Sequence, residues 1–291
     1  MKHIKLILKD FDWFFLVSGI MSSVLGSVMA SESGQTWKLG TFLLGLLFFV
    51  GFYSLERVYY YLSISRINLF STVNRADKLK SPEIISILFL LFAGLLYILF
   101  TLNISGALTQ TGWLWLIILV LLIMVNTSRS MRVWNLPYRW FLDALIVSPV
   151  LVFFSSSLQG LEPGRILLFL CLPLLFLYLA STLCLQFESY ASNMSKGTKS
   201  FLVVIGWEKG IVLHNVILLI AYLFLGVYFY LSGVWSIAWP AFFMLIISLG
   251  EVYLLQRVSE GMKPNWGLIR AVAVVQYLGI VYILLFAFLT H

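Results

Sequence analysis

The chain carries very little charge. Of its 291 residues 11% are Asp, Glu, Lys or Arg and 61% are hydrophobic, with a mean hydropathy of +0.99. This excludes a soluble domain, which at this length needs far more polar surface to meet water. Acids are the scarcest class, 12 Asp and Glu against 19 Lys and Arg. Cysteine is almost missing. Cys171 and Cys184 fall inside one apolar run and read as small buried residues without a disulfide. There is no C-x-x-C and no His-rich tract, so the local metal signatures are absent. The apolar runs do not alternate with polar residues, which excludes an outer-membrane barrel. No linker is long enough to separate domains. The first apolar run is too long for a cleavable signal, and SVMASES at its end is a weak cleavage site, so this run is expected to be retained.

What the chain does have is long apolar runs. Crossing a hydrocarbon core of roughly 30 Å takes about 20 helical residues. Nine runs approach this length, over 12–30, 38–62, 83–102, 111–127, 139–158, 164–186, 210–232, 234–256 and 267–290. The expected fold is therefore an all-α membrane protein with nine transmembrane helices in a single domain covering 1–291. Long polar segments follow the second and sixth runs, a layout that suggests two four-helix repeats, about 1–127 and 128–256, plus a ninth helix.

The net charge of +7 is read as a topology signal and not as a nucleic-acid one. With nine spans and a cytoplasmic N-terminus, the cytoplasmic segments hold Lys2, Lys5, Lys9, Arg66, Arg75, Lys78, Lys80, Arg129, Arg132, Arg139, Lys196, Lys199, Lys209, Arg257, Lys263 and Arg270. The other side holds Lys38 and Arg165. Basic residues favour the cytoplasmic side, so the N-terminus is expected inside and the C-terminus outside. Tryptophans such as Trp13, Trp37, Trp207 and Trp266 lie near run ends, as interfacial aromatics do. The expected location is a multi-pass position in a bacterial or archaeal cell membrane.

Three polar constellations stand out. The first runs from Glu56 to Pro82 and includes Tyr59, Arg66, Asn68, Arg75, Asp77 and Lys78. An acid within a span is a functional-site hypothesis by default, although Glu56 could equally pair with Arg57 or Arg66. The basic residues suit a phosphate or a lipid headgroup. In the second, Pro137 suits the start of a helix, and Arg139 and Asp143, four apart, share one of its faces. The third, Phe187–Gly210, follows a run ending near Gln186 and holds Glu188, Tyr190, Asn193, Lys196 and Lys199. Just beyond it, His214 reads as a hydrogen-bonded packing residue. Glu251 is the other acid inside a span, with Arg257 or Arg270 expected to neutralise it.

The stretch YLASTLCLQFESYASNMSKGTKSFLVVIGWEKG resembles the second motif of the UbiA superfamily of intramembrane prenyltransferases. Gly197-Thr198-Lys199-Ser200-Phe201 and Ile205-Gly206 stand where that family has Gly, a basic residue, Thr, Leu and Leu-Gly. NLPYRWFLDAL is similar to its Pro-x-x-Lys approach to the fifth helix, with Arg139 or Arg132 in the basic role. The resemblance implies nine helices with acid-rich motifs after the second and sixth. Those acids would hold Mg2+ against a prenyl diphosphate, whose isoprenoid passes to a lipophilic acceptor.

Carried onto this chain, the resemblance assigns Glu56, Asp77 and Glu188 to the metal. It assigns Arg66, Arg75, Lys78, Arg139, Lys196 and Lys199 to the diphosphate, and Asn68, Tyr59, Tyr190 and Asn193 to the polar part of the cavity. The chain departs from the pattern where Tyr59, Tyr60 and Ser63 follow Glu56, and where Ser192, Asn193 and Ser195 follow Glu188. Two functions stay open. One is prenyl transfer. The other is a non-catalytic fold that holds a quinone, pigment or lipid in a membrane complex with a protein partner.

Overall fold

Inside lipid the backbone must satisfy its own N–H and C=O groups, and a continuous apolar run does so as a helix. The computed structural model describes residues 12–67, 82–127, 136–235 and 239–290. Among them every regular element is helical. In order these are α1 (Trp13–Glu32), α2 (Leu39–Ile67), α3 (Pro82–Ile104), α4 (Gln110–Thr127), α5 (Arg139–Leu158), α6 (Arg165–Ser195), α7 (Phe201–Ile205), α8 (Trp207–Ser232), α9 (Met244–Ser259) and α10 (Trp266–Leu289). Short 3₁₀ turns at Leu136–Tyr138 and Trp239–Phe243 lead into α5 and α9.

Eight of the described helical segments are long and apolar enough to cross a membrane, the stretch Trp239–Ser259 counting as one. The chain is a multi-pass integral membrane protein of the all-α class. α4 is shorter: its 18 residues reach roughly 27 Å.

One expectation is corrected. The apolar run read as ending near Gln186 belongs to a helix that continues to Ser195, 31 residues in all. At 1.5 Å per residue that is roughly 46 Å, well beyond the hydrocarbon core. The extension holds because Phe187 is buried against Trp207, their ring centroids 4.7 Å apart, while Glu188, Ser192 and Ser195 sit on other faces. The polar segment shrinks to the turn 196–200, the short α7 and Gly206. With φ +87° and ψ 159°, Gly206 occupies backbone space that only glycine enters freely, and so sets the bend between α7 and α8.

Small residues place the inner helices. Ser18, Gly19, Ser22, Ser23, Gly26, Ser27 and Ala30 of α1 are all buried, and small residues let helix backbones approach where lipid offers no hydrophobic drive. The approach to α5 is close: a Cβ on Gly26 would lie 2.3 Å from the carbonyl oxygen of Val152. α5 contains a π turn over Ile146–Val150 around Pro149, whose missing N–H breaks the regular ladder. The Ser148 hydroxyl donates to the Cys171 carbonyl at 2.9 Å and ties this turn to α6.

α6 packs against α5, α8 and α10, and α1 packs against α5 and α10. Their aromatic rings meet in the middle. Phe14 stacks on Tyr178 at 5.2 Å, and Tyr178 meets Tyr277 edge-on at 5.2 Å. The hydroxyls of Tyr277 and Ser22 lie 2.9 Å apart. A single hydrophobic cluster extends from Phe15 to Phe288.

Candidate functional site

Polar side chains gather at the end of the bundle where α1, α5, α8 and α10 begin. Asp12 caps α1, its carboxylate accepting from the Phe15 N–H at 3.1 Å, and the Asp12 N–H donates to the Tyr53 hydroxyl at 3.1 Å. The guanidinium carbon of Arg57 lies 4.9 Å from the Tyr53 ring centre, within cation–π range. Arg57 Nε is 3.4 Å from a Glu56 carboxylate oxygen, with both side chains under a tenth exposed. On α5, Asp143 accepts from the Asn126 amide at 2.6 Å and lies 3.8 Å from Arg139 Nε. α1, α2, α4 and α5 thus each contribute to this cluster. Arg139 and Asp143 form the local ion pair that their spacing allowed.

The second expected centre lies at the end of α6. Glu188 is gripped by Arg270 of α10, whose Nε donates to one carboxylate oxygen at 3.1 Å while Nη2 reaches the other. Tyr190 packs edge-on against Trp207 at 5.5 Å. The Asn193 amide donates to the Ser189 hydroxyl at 3.1 Å. Lys196 and Lys199 are exposed on the turn before α7. Gln186 accepts from the Leu202 N–H at 3.2 Å and holds α7 against α6. The ring of Phe201 lies 4.5 Å from that of Trp140, which brings the start of α5 alongside.

These positions bear on the expected metal. Mg2+ needs several oxygen donors converging on one point. Glu56 is engaged by Arg57 and Glu188 by Arg270. Each acid is held by its own arginine, so the two do not form an open carboxylate pair. Asp77, Asn68, Arg75 and Lys78 lie outside the described residues, as does the side chain of Arg66. Tyr59, expected among the polar groups of the cavity, is 64% exposed.

A second correction concerns Glu251. Neither Arg257 nor Arg270 neutralises it. Arg257 lies six residues on, roughly 240° around the helix, and stands over the Tyr253 ring at 5.7 Å; Arg270 is taken by Glu188. The partner is His214, whose Nε2 lies 3.2 Å from Glu251 Oε1, both side chains being fully buried. Cys184 adds its sulfur to this pair, the three donor atoms lying within 4.8 Å of one another. Sequence reasoning noticed each residue separately and did not join them. The available signal was depth: all three lie near the polar ends of consecutive long apolar runs.

A shallow, almost wholly apolar groove of about 410 Å³ runs along α8, lined by Glu208, Lys209, Val212, Leu213 and Val216. No family model matches the chain, and no curated protein matches it.

Proposed function

We propose that this protein is a UbiA-like membrane bundle that binds an isoprenoid-type amphiphile, such as a quinone, pigment or lipid, without running Mg2+-dependent prenyl transfer. One observation carries the reading: each described acid of the expected metal set is held by an arginine of the same chain, Glu56 by Arg57 and Glu188 by Arg270. A carboxylate beside a guanidinium has its charge balanced, and in Glu188 both oxygens also accept hydrogen bonds from Arg270, which weakens the drive to recruit a divalent cation. The polar end supplies what an amphiphile headgroup needs: Arg139, Lys196 and Lys199, with the aromatic rings of Phe14, Tyr178 and Tyr277 deeper in the bundle.

In this reading α4 completes a set of nine spans, with the N-terminus cytoplasmic and the C-terminus outside. The membrane is a bacterial or archaeal cell membrane, and the bundle serves as a subunit beside a protein partner. The second reading is prenyl transfer. It is favoured by the cations gathered at this end, Arg139, Lys196 and Lys199, joined in sequence by Arg66, Arg75 and Lys78, which suit a diphosphate. It requires Glu56 and Glu188 to leave their arginines and meet Mg2+ together with Asp77.

Binding of a labelled prenyl diphosphate and of a long-chain quinone to the purified protein, with and without Mg2+, separates the two. The proposal expects quinone binding that ignores Mg2+ and survives Glu188→Ala and Glu56→Ala. Prenyl-diphosphate binding that requires Mg2+ and is lost in both variants would overturn it in favour of the transferase.

A further inference from the structure

We infer that Cys184, His214 and Glu251 form a buried site for a divalent transition-metal cation of the Zn2+ class, clamping α6, α8 and α9 together. The argument begins with protons. His214 Nδ1 lies 3.2 Å from the Asn215 side-chain oxygen. An amide oxygen only accepts, so Nδ1 carries the hydrogen. Nε2 then turns toward Glu251 Oε1 at 3.2 Å. If Nε2 is a lone pair it faces a carboxylate oxygen, two acceptors in contact at a place that water does not reach. A positive charge has to lie between them, and the choices are a proton or a metal ion.

Two further observations favour the metal. Glu251 Oε2 is buried and has no hydrogen-bond partner, whereas a structural ion pair is expected to satisfy its remaining oxygen. The Cys184 thiol interacts with the Glu251 carboxylate, but a thiol is only a weak donor and leaves Oε2 without a hydrogen bond of normal geometry. As a ligand, Cys184 supplies a third donor from a third helix, within 4.8 Å of the other two donor atoms and 1% exposed. Thiolate, imidazole and carboxylate are the three ligand types that Zn2+ combines. Around an ion with ligand distances of roughly 2.0–2.3 Å, the donors of a tetrahedron stand roughly 3.3–3.8 Å apart, and the 3.2 Å between His214 and Glu251 is close to one such edge. Asn215 plays the supporting part usual for a ligating histidine, fixing the ring through its other nitrogen. Three protein ligands leave the fourth position of the tetrahedron to the second oxygen of Glu251 or to a ligand carried in with the ion. The hard-cation chemistry expected of Glu56 and Glu188 is not involved, so this site is independent of the function proposed above.

The test uses the full chain expressed in medium supplemented with Zn2+ or Co2+ and purified in detergent. The metal content is measured together with the absorption spectrum of the cobalt form. The expected result is one ion per chain and a thiolate-to-cobalt absorption band. Cys184→Ser abolishes that band, and His214→Ala and Glu251→Gln lose the ion. Asn215→Ala is expected to weaken retention against a chelator by roughly 10–100-fold. Should His214→Ala not fold, Cys184→Ser decides, because a hydroxyl in place of a thiol changes the spectrum with little change of shape. Wild-type protein that elutes as a single folded species yet carries neither ion would overturn the site. So would a cobalt spectrum that Cys184→Ser leaves unchanged. Either result would leave a proton shared between His214 and Glu251.

Discussion

Glu188 and Arg270, 82 residues apart, close a two-pronged ion pair between the projecting end of α6 and the first turns of α10, with Arg270 Nε 3.1 Å from one carboxylate oxygen. The same glutamate is the acid that the resemblance assigns to Mg2+. Which role it plays is visible in its energetics. The pair is largely exposed, at 58% and 35%, so it contributes at most about 1 kcal/mol. Arg270→Ala and Glu188→Ala are expected to lower the melting temperature in detergent by similar small amounts, and the double variant by no more than either. Added Mg2+ is expected to leave wild type unmoved. Fully additive losses in that cycle, or a Mg2+-induced rise absent from Glu188→Ala, would contradict the pairing role.

Gly26 is expected to be intolerant of any side chain. A methyl there meets the Val152 carbonyl oxygen at 2.3 Å, a backbone atom that no rotamer change can move. Gly26→Ala should cost about 1–3 kcal/mol through overpacking and lower thermal stability. Gly94→Ala, where a Cβ has nothing within 4 Å, is the matched control. Equal melting temperatures for the two variants would refute the close α1–α5 contact.

Asp143 should couple energetically to Asn126. The hydrogen bond between them is 2.6 Å long and joins α5 to α4, and a bond to a charged acceptor contributes about 1.5–3 kcal/mol. Asp143→Ala is expected to destabilise by that order, Asn126→Ala by less, and the pair to show a coupling of at least about 0.5 kcal/mol. Chemical denaturation in mixed micelles reads the cycle, and additivity would mean that the contact contributes nothing.

The proposed orientation predicts a labelling pattern. Both native cysteines are buried and free, so intact cells should show no background with a membrane-impermeant thiol reagent. A cysteine at Ser33, in the turn after α1, is expected to label from outside. One at Lys196, in the turn after α6, is expected to label only after the membrane is opened. The reverse pattern would invert the topology, and labelling of both from one side would remove a span.

Much of the fold is legible in hydropathy alone. The apolar runs fall on helices, and eight of them, α1–α3, α5, α6, α8, the Trp239–Ser259 segment and α10, are long enough to cross, because a hydrocarbon core requires about 20 apolar residues per crossing; α4 is shorter. The end of α6 is not legible in this way. Glu188, Ser189, Ser192 and Asn193 look like a loop in composition, and only the burial of Phe187 against Trp207 explains why the helix runs on. The π turn at Pro149 is hidden for a related reason: proline inside an apolar run gives no indication of whether the helix breaks, kinks or bulges.

The site is legible only as a set of residue types. Sequence by itself determined that few acids exist, that Glu56 and Glu251 lie inside apolar runs, and that basic residues crowd alternate segments between the runs. Those facts follow from hydropathy and counting. The pairs Arg57–Glu56 and Arg139–Asp143 were open to sequence spacing, but the partners of Glu251 and Glu188 were decided by tertiary structure. Glu251 takes His214 from 37 residues away, Asp143 takes Asn126 as well as the predicted Arg139, and Glu188 takes Arg270. The physical reason is that lipid and protein interior are equally apolar. Apart from a small-residue face such as that of α1, a membrane helix therefore carries no polar stripe to show which face turns inward, and the partner of each rare charge is set by helix rotation and neighbour order, which the local sequence does not fix.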